Sequence, residues 1–305
     1  MRIEDLRTVL VIGAGTMGSQ IGLQCAMHGF NVHLYDISAE SVENGMRTIE
    51  GYLDGLIAQG VFPKEHKPVV LERIHPMTDA AAAAQADLVS ESVPEDPALK
   101  GKVFAQFHQL CPAHTIFTTN TSSLLPSMYA EATGRPDRFA ALHFHGYVWV
   151  SNVVDIMPHP GTSEETLDTL EAFARRIGQI PIRLGKEHYG YVLNSMLNAL
   201  LRTATSLAAN EVTSFENVDR AWMGVMKAPM GPFGILDQVG LETAYHINQY
   251  WATTLNDPEL QKNADYLKAY VDRGLLGIKT GRGFYTYPNP KFMMPGFVEG
   301  DLDKE

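Results

Sequence analysis

The chain has 305 residues, of which 45% are hydrophobic and 19% charged, so it can form one large domain or two ordinary ones with a sizeable core. Its formal net charge of −11 opposes general nucleic-acid binding, which needs a basic face, so we expect no nucleic-acid partner. We see no signal peptide and no apolar run of membrane-spanning length, so we expect no membrane partner. The two cysteines lie outside any metal-binding spacing, and so few of them predict a cytoplasmic protein without disulfides.

The chain begins with a pattern of strand, glycine-rich turn and helix. An apolar strand at Thr8–Ile12 is followed at once by GAGTMG and then by a helical pattern that ends at Gly29. A second strand, NVHLYD, ends at Asp36. A GxGxxG turn between a strand and a helix, with an acidic residue at the end of the next strand, indicates a dinucleotide-binding unit.

Each part of this unit has a physical reason. Gly13 permits the tight turn, Gly15 lets the backbone approach a pyrophosphate, and Gly18 lets the helix pack on the strand. The helix N-terminus offers free N–H groups to phosphates. Asp36 would accept hydrogen bonds from a ribose diol and repel a 2′-phosphate, which favours NAD over NADP. The predicted NAD contacts here are Gly13, Gly15, Thr16, Met17, Gly18 and Asp36.

Strand and helix patterns continue to alternate beyond Asp36. ADLVSES and TIFTTN are typical of buried strands, PALKGKVFAQFHQL is typical of a helix, TSSLLPSMYA is expected to begin another, and Ala80–Ala84 is expected to be helical. This alternation predicts an α/β fold with a Rossmann-type, mostly parallel sheet. Polar clusters at Glu91 to Glu95, at Asn120 to Ser123 and at His143 follow strands, where ligands of such sheets bind.

The character of the sequence changes after the segment LGKEHYG. A long helical pattern, YVLNSMLNALLRTATSLAANEV, follows, and strand patterns become scarce. We therefore place a boundary at Lys186, with a Rossmann domain over 1–186 and an all-helical C-terminal domain over 187–305. Asn194 and Asn198 lie one turn apart beside the apolar stripe, where they could bind a ligand or form hydrogen bonds between helices.

A histidine and a carboxylate lie inside two short apolar runs, His143 in FAALHF and Asp155 in NVVDIMP. With His145 they could bind a metal, but hydride transfer rarely needs one, so we predict none. With Ser122 they could form a hydrolytic triad, but the GxSxG elbow is missing. They could also be packed polar residues, or a general base oriented by a carboxylate. Ser122 and Ser123 could cap a helix or donate to a substrate oxygen.

Five motifs together resemble the L-3-hydroxyacyl-CoA dehydrogenases, including bacterial 3-hydroxybutyryl-CoA dehydrogenases. They are VIGAGTMGSQIG, TNTSSL, ALHFH, APMGPFGILDQVGLET and GIKTGRGFYTY, and they span nearly the whole chain. The resemblance implies an NAD-dependent oxidoreductase of fatty acid metabolism that interconverts L-3-hydroxyacyl-CoA and 3-oxoacyl-CoA. It also implies a homodimer formed through the C-terminal helical domain.

The resemblance also implies roles for individual residues. His143 would be the general base or acid, and Asp155 would orient it. Ser122 and Asn194 would hold the carbonyl oxygen, where donors lower the barrier as charge develops. Further cofactor contacts would be Glu95, Lys100, Asn120 and Ser122.

The chain departs from the family pattern in three places that leave alternatives open. Asp155 stands where the family usually has glutamate, and Gly146 stands where it usually has asparagine. From Ile37 to Leu99 there are only four basic residues, although CoA phosphates call for lysine or arginine. A relative that oxidises a free hydroxy acid, such as a sugar acid or carnitine, and a non-catalytic nucleotide-binding protein are therefore the alternatives.

Overall fold

The computed structural model describes residues 2–303. The chain folds as two compact units, Met1–Val192 and Leu193–Glu305. The boundary predicted at Lys186 lies earlier, in the loop before the first helix of the second unit. Within the described residues, none of the helices has both the length and the apolar character that crossing a bilayer requires.

An eight-stranded sheet forms the centre of the first unit, in the order β3-β2-β1-β4-β5-β6-β7-β8. Neighbouring strands are parallel except at the pair β6–β7, which is antiparallel. This confirms the prediction of a mostly parallel, Rossmann-type sheet. The strands are β1 (Thr8–Ile12), β2 (Asn31–Tyr35), β3 (Ile74–Met77), β4 (Leu88–Glu91), β5 (Ile116–Thr119), β6 (Phe139–Phe144), β7 (Val153–Pro158) and β8 (Ile180–Arg183).

Helices pack on the sheet and cover its two larger hydrophobic clusters. One cluster lies beneath α1, α2 and α5 and includes Ile21, Ile49 and Phe173. The other lies beneath α4 and includes Phe104 and Phe117. The helices of this unit are α1 (Thr16–Met27), α2 (Ala39–Ala58), α3 (Lys67–Glu72), α4 (Pro97–His108) and α5 (Glu164–Arg176), and the segment predicted to be helical at Ala80–Ala84 is a 3-10 helix, Ala80–Gln85.

The prediction that a helix begins in TSSLLPSMYA is wrong. That segment contains only the 3-10 turn Pro126–Met128, and a second such turn, Glu131–Thr133, follows it. Leu125, which precedes a proline, is extended, because the proline ring disfavours a helical backbone there. Thr121 Oγ1 accepts hydrogen bonds from the amides of Ser123 and Leu124, so this side chain holds a turn where the helix was expected. Neither serine caps a helix, because the 3-10 turn that follows has Leu125 as its N-cap.

Up to residue 303, the second unit is built from five α-helices, which confirms the predicted all-helical C-terminal domain. Its core contains Leu201, Phe233, Leu267 and Phe284. Within the part of the chain that the structure describes, its remaining regular segments are short 3-10 turns. The helices are α6 (Leu193–Ala209), α7 (Phe215–Met226), α8 (Pro232–Val239), α9 (Leu241–Leu255) and α10 (Pro258–Val271).

Candidate active site

The glycine-rich turn has the shape that its sequence predicts. Gly13 has a φ of +104°, a backbone conformation that a side chain would disfavour. A Cβ on Gly18 would lie 1.8 Å from the carbonyl oxygen of Gly13, whereas a Cβ on Gly15 would meet nothing within 4 Å. Gly15 precedes α1 without a side-chain cap, so the first N–H groups of α1, at Thr16 and Met17, have no partner within the helix.

Asp36 completes this turn from the end of β2. Its Oδ2 accepts a hydrogen bond of 3.1 Å from the amide of Ala14, and its Oδ1 accepts one of 3.0 Å from the amide of Ser38. The carboxylate is therefore held against the glycine-rich turn in a fixed orientation. The open space at Gly15, the uncapped helix and this carboxylate fit the pyrophosphate and ribose of a dinucleotide.

A buried ion pair lies at the end of the neighbouring strand β4. Lys100 and Glu91 have no exposed surface, and Lys100 Nζ lies 2.7 Å and 3.0 Å from the two carboxylate oxygens of Glu91. Thr119 Oγ1 and the amide of Val93 also donate to Glu91. Lys100 Nζ lies 3.4 Å from Glu95 Oε2 as well, so Glu95 is the partly exposed end of this network.

Glu95 also holds the loop that contains Ser122. Its Oε1 accepts hydrogen bonds from Thr121 Oγ1 at 2.7 Å and from the amide of Ser122 at 2.9 Å. Asn120, which directly follows β5, accepts a hydrogen bond of 2.9 Å from the amide of Phe144. Ser122 is exposed, and its loop is thus tied both to Glu95 and to the end of β6.

The structure brings His143 and Asp155 into direct contact. The antiparallel register of β6 and β7 places the two residues opposite each other, and His143 Nδ1 lies 3.2 Å from Asp155 Oδ2. Both side chains are buried, with exposed fractions of 6% and 1%. The shorter acidic side chain therefore reaches the histidine without a bridging water.

This contact fixes which nitrogen of His143 can accept a proton. An ionised carboxylate can only accept hydrogen bonds, so the Nδ1 atom must carry the ring proton and Nε2 has a free lone pair. Burial by itself raises the pKa of Asp155, but the hydrogen bond from His143 and the electrostatic attraction of the neighbouring His143 and His145 rings outweigh it and hold that pKa below its ordinary value. Asp155 is consequently ionised at neutral pH.

A second histidine approaches the same carboxylate oxygen. His145 directly follows β6, and its Nε2 lies 3.4 Å from Asp155 Oδ2 without a well-aligned hydrogen bond. The ligating atoms of His143, His145 and Asp155 all lie within 4.8 Å of one another. The two imidazole rings are also in edge contact, with centroids 4.8 Å apart.

Sequence reasoning missed two residues that hold this site. The ring of Tyr191 packs on His143 with centroids 4.6 Å apart, and Tyr191 is itself buried. Gln20 Oε1, from α1, accepts hydrogen bonds from the amides of Tyr147 and Val148 in the loop after β6. The only sequence signal for either was a polar or aromatic residue next to a motif that had already been identified.

Asn194 lies in the second unit, in the first turn of α6, and is half-buried. Asn198 is exposed, so the requirement of a buried amide for partners does not apply to it. The role that the resemblance assigns to Asn194 stays a prediction.

Comparisons with known protein families cover nearly the whole chain. Residues 8–188 match the family model described as 3-hydroxyacyl-CoA dehydrogenase, NAD binding domain. Residues 190–287 match 3-hydroxyacyl-CoA dehydrogenase, C-terminal domain. A probable 3-hydroxybutyryl-CoA dehydrogenase of Bacillus subtilis (strain 168) is 32% identical over 283 residues, which cover 93% of this chain and 98% of that protein.

Two solved structures are similar over almost their full length. The (S)-3-hydroxybutyryl-CoA dehydrogenase of Ralstonia eutropha has a TM-score of 0.85 at 33% identity, covering 93% of this chain and 100% of its own. A diketoreductase, described by its dual catalysis of dicarbonyl compounds, has a TM-score of 0.84 at 41% identity, covering 92% of this chain and 99% of its own.

Proposed function

Because the chain belongs to the 3-hydroxyacyl-CoA dehydrogenase family and has its NAD-binding domain, we propose that it interconverts L-3-hydroxyacyl-CoA and 3-oxoacyl-CoA. The observation that carries this proposal is the direct contact between His143 and Asp155. Bound NAD supplies the hydride acceptor. Every other requirement of the reaction, chiefly the removal of the hydroxyl proton, falls to side chains of this chain.

His143 is proposed to be the general base for alcohol oxidation and the general acid for ketone reduction. Its Nε2 takes the hydroxyl proton as hydride leaves the substrate carbon, and the ring becomes an imidazolium. Asp155 keeps Nδ1 protonated and stabilises the positive ring through the 3.2 Å contact. Tyr191 limits the orientations open to the ring.

The substrate oxygen and the cofactor are assigned to the remaining predicted residues. We propose that Ser122 and Asn194 donate hydrogen bonds to the carbonyl oxygen, where negative charge develops during reduction. The glycine-rich turn and Asp36 would hold the adenosine half of NAD. The nicotinamide half would be contacted by Asn120, Ser122, Glu95 and Lys100. The hydrogen-bond network around Glu95 supports this proposal because it fixes the Ser122 loop.

We propose that the two units have the different functions that the family resemblance implies. The first unit binds NAD, and the helical second unit contributes to substrate binding and forms a homodimer. We also propose a cytoplasmic location, which is supported by Cys25 and Cys111 being free thiols in buried positions.

A reduction assay tests the proposed reaction directly. The protein is mixed with acetoacetyl-CoA and NADH, and nicotinamide absorbance is followed with time. We expect turnover in the wild type and a loss of about 10²- to 10⁴-fold in His143→Gln, the usual contribution of a general acid or base. Normal activity of a folded His143→Gln protein would exclude this residue as the proton carrier.

A relative that acts on a small dicarbonyl compound or hydroxy acid without CoA is the second candidate. The 41% identity to a diketoreductase favours it. The few basic side chains between Ile37 and Leu99 also favour it, because several are bound within the protein. Arg47 donates to Asn44, Lys67 lies 2.5 Å from Asp54, and Arg73 donates to the carbonyl of Ala26.

The two candidates differ in their use of the CoA moiety. Rates are compared for acetoacetyl-CoA and for free acetoacetate at the same concentration. If the CoA thioester is the substrate, kcat/KM for acetoacetyl-CoA should exceed that for acetoacetate by at least about 10-fold, the equivalent of one charge-assisted contact. Equal values would favour the second candidate.

A further inference from the structure

A side-chain cluster with the composition of a transition-metal site lies within the proposed catalytic pair. His143, His145 and Asp155 provide two imidazole nitrogens and one carboxylate oxygen, a ligand set that suits Zn²⁺. The family resemblance accounts for His143 and the acid, but it assigns nothing to His145. We propose that these three residues bind Zn²⁺, and that the bound ion inhibits the enzyme by occupying Nδ1 of His143.

The distances support a three-ligand site. In a tetrahedral zinc site, bonds of about 2.0–2.2 Å place neighbouring ligand atoms about 3.3 Å apart. His143 Nδ1 and His145 Nε2 lie 3.2 Å and 3.4 Å from the shared atom Asp155 Oδ2. Two of the three edges of a zinc-binding face therefore already have the required length.

The third edge joins the two histidines and has to shorten on binding. Their ligating atoms lie within 4.8 Å of each other, so one ring must move closer by at most about 1.5 Å to reach a tetrahedral edge. His145 can make this movement because it lies outside β6, is only partly buried, and is followed by Gly146, whose surroundings are open. His143 and Asp155, which are held in paired strands, stay in place.

His145 also has a reason to accept a metal ion. Its Nε2 is buried and points towards an ionised carboxylate without a well-aligned hydrogen bond. A divalent cation at this point would satisfy that nitrogen and neutralise Asp155. The cation would leave a fourth position for water, as in other zinc sites with three protein ligands.

Inhibition follows from the chemistry of an imidazole ring, and it rests on the role proposed for His143, whereas the binding does not. A metal on Nδ1 displaces the proton from that atom. A neutral ring must then carry its single proton on Nε2, which can no longer accept the proton of the substrate hydroxyl. The ion thus removes the base without touching the substrate. This proposal departs from the prediction that these residues bind no metal, and it makes the ion an inhibitor that hydride transfer does not need.

Direct binding measurements test the site without any turnover. Chelator-treated, NAD-free protein is titrated with Zn²⁺ by calorimetry and with Co²⁺ by visible absorption. We expect one ion per chain, a Co²⁺ spectrum typical of four-coordinate nitrogen and oxygen ligation, and no binding of Mg²⁺, which prefers oxygen ligands. Absence of a stoichiometric Zn²⁺ site would overturn the proposal, whatever the substrate proves to be.

Two substitutions at one position and one matched control test which residues bind. His145→Phe and His145→Ala each remove one ligand and should weaken Zn²⁺ binding by at least about 10-fold, the smallest loss usually seen when even an outer contact of a metal site is removed. His114→Phe is the control, because the exposed His114 lies 3.0 Å (Nε2) from Asp87, and among residues 2–303 no third ligand completes a metal site with this pair. Melting temperatures show which variants are folded, and unchanged affinity in a folded His145 variant would overturn the proposal.

Inhibition is measured in each variant against its own chelator-treated activity, with whichever substrate the wild type reduces. Zn²⁺ should inhibit the wild type and His114→Phe at the concentration that fills the site, and a chelator should restore activity. The inhibitory concentration should rise at least about 10-fold in the folded His145 variants. Binding without inhibition would refute the role proposed for His143 Nε2 while leaving the metal site intact.

Discussion

At the scale of single residues, the structure explains how one carboxylate can serve two histidines. Asp155 is buried in β7 directly opposite His143, while His145 approaches from the loop after β6. Only the contact with His143 has the geometry of a hydrogen bond. The orientation of the proposed base therefore depends on an acid whose side chain is fixed by strand pairing.

Replacement of Asp155 should separate orientation from charge. In Asp155→Asn the amide can donate to Nδ1 and favour the tautomer with a proton on Nε2, so we expect kcat to fall by up to about 10⁴-fold. Asp155→Glu, which restores a carboxylate, should lose much less. The measurement is steady-state kinetics with saturating NADH.

A matched control is available in a second His–Asp pair of the first unit. Asp87→Asn weakens the pair formed by the half-buried Asp87 and the exposed His114 and should leave kcat of the folded protein unchanged. If Asp155→Asn kept the wild-type rate, or if Asp155→Glu lost as much as Asp155→Asn, the carboxylate would not be what orients His143.

At the scale of secondary-structure elements, the turn between β1 and α1 gives each glycine a different task. A Cβ at Gly18 would collide with the carbonyl of Gly13, so Gly18→Ala should lower the free energy of unfolding by about 1–3 kcal/mol, as overpacking does. A Cβ at Gly15 meets only open space and the φ of −74° is allowed, so Gly15→Ala should change stability by less than about 0.5 kcal/mol.

Gly15→Ala, which should hardly change stability, should instead change the affinity for NADH. Gly15→Ala should weaken NADH binding by about 10-fold, roughly the value of one lost hydrogen bond, because the methyl group occupies the space proposed for the pyrophosphate. Fluorescence titration with NADH measures the affinity, and thermal unfolding measures the stability. Unchanged NADH affinity in Gly15→Ala would mean that the pyrophosphate does not lie there.

The motifs that identify the family in the second unit turn out to build its core. Asp219 accepts hydrogen bonds from the amides of Phe233 and Gly234 and from the hydroxyl of Tyr285. Asp237 accepts hydrogen bonds in the same way from the amides of Phe284 and Tyr285. PMGPFG, which runs into the first turn of α8, and the loop GRGFY are therefore fastened to two buried carboxylates, which explains their specific sequences without a role in catalysis.

Asp219 should give this unit an unusual dependence on pH. Burial raises its pKa from 3.8 to about 6, even though three hydrogen bonds and their partial charges oppose the shift. The folded state thus holds the proton more tightly than the unfolded state. The resulting stability is fully present below a pH of about 3.8 and is lost as pH rises through about 6.

Asp219→Asn removes this titration. The destabilising effect of Asp219→Asn should be larger at pH 5 than at pH 7 by about 1 kcal/mol. The reason is that the wild type gains stability as the pH falls from 7 to 5, whereas the variant does not. Urea unfolding of both proteins at the two pH values gives the difference, in which titrating groups remote from Asp219 cancel. An equal effect at both pH values would show that Asp219 titrates in its ordinary range.

At the scale of the whole molecule, the sequence predicted those features that depend on neighbouring residues or on a periodic pattern along a strand or helix. The strands β1 and β2 and the helix between them follow from patterns within short segments. The direct contact of His143 with Asp155 did not, because several roles for these two residues were open and only the family resemblance implied that Asp155 orients His143. The contact of Tyr191 with His143, and the hydrogen bonds from the Phe284 loop to Asp237, join residues far apart in the chain, so no spacing reveals them. The helix expected in TSSLLPSMYA failed because a proline and a threonine side chain override helix propensity.

The net charge of −11 gives a last prediction, which concerns how substrates approach. CoA thioesters carry several phosphate charges, so the overall field of the protein opposes their approach unless local basic groups reverse it. The basic side chains Arg47, Lys67 and Arg73 are bound to neighbours instead.

Raising KCl from 10 to 100 mM shortens the screening length from about 30 Å to about 10 Å, so the KM for acetoacetyl-CoA should fall by a factor of about 2 to 10. The KM for uncharged ethyl acetoacetate, measured at saturating NADH in the same buffers, should stay constant. A KM for acetoacetyl-CoA that rises with salt would instead reveal a basic binding groove for the CoA phosphates.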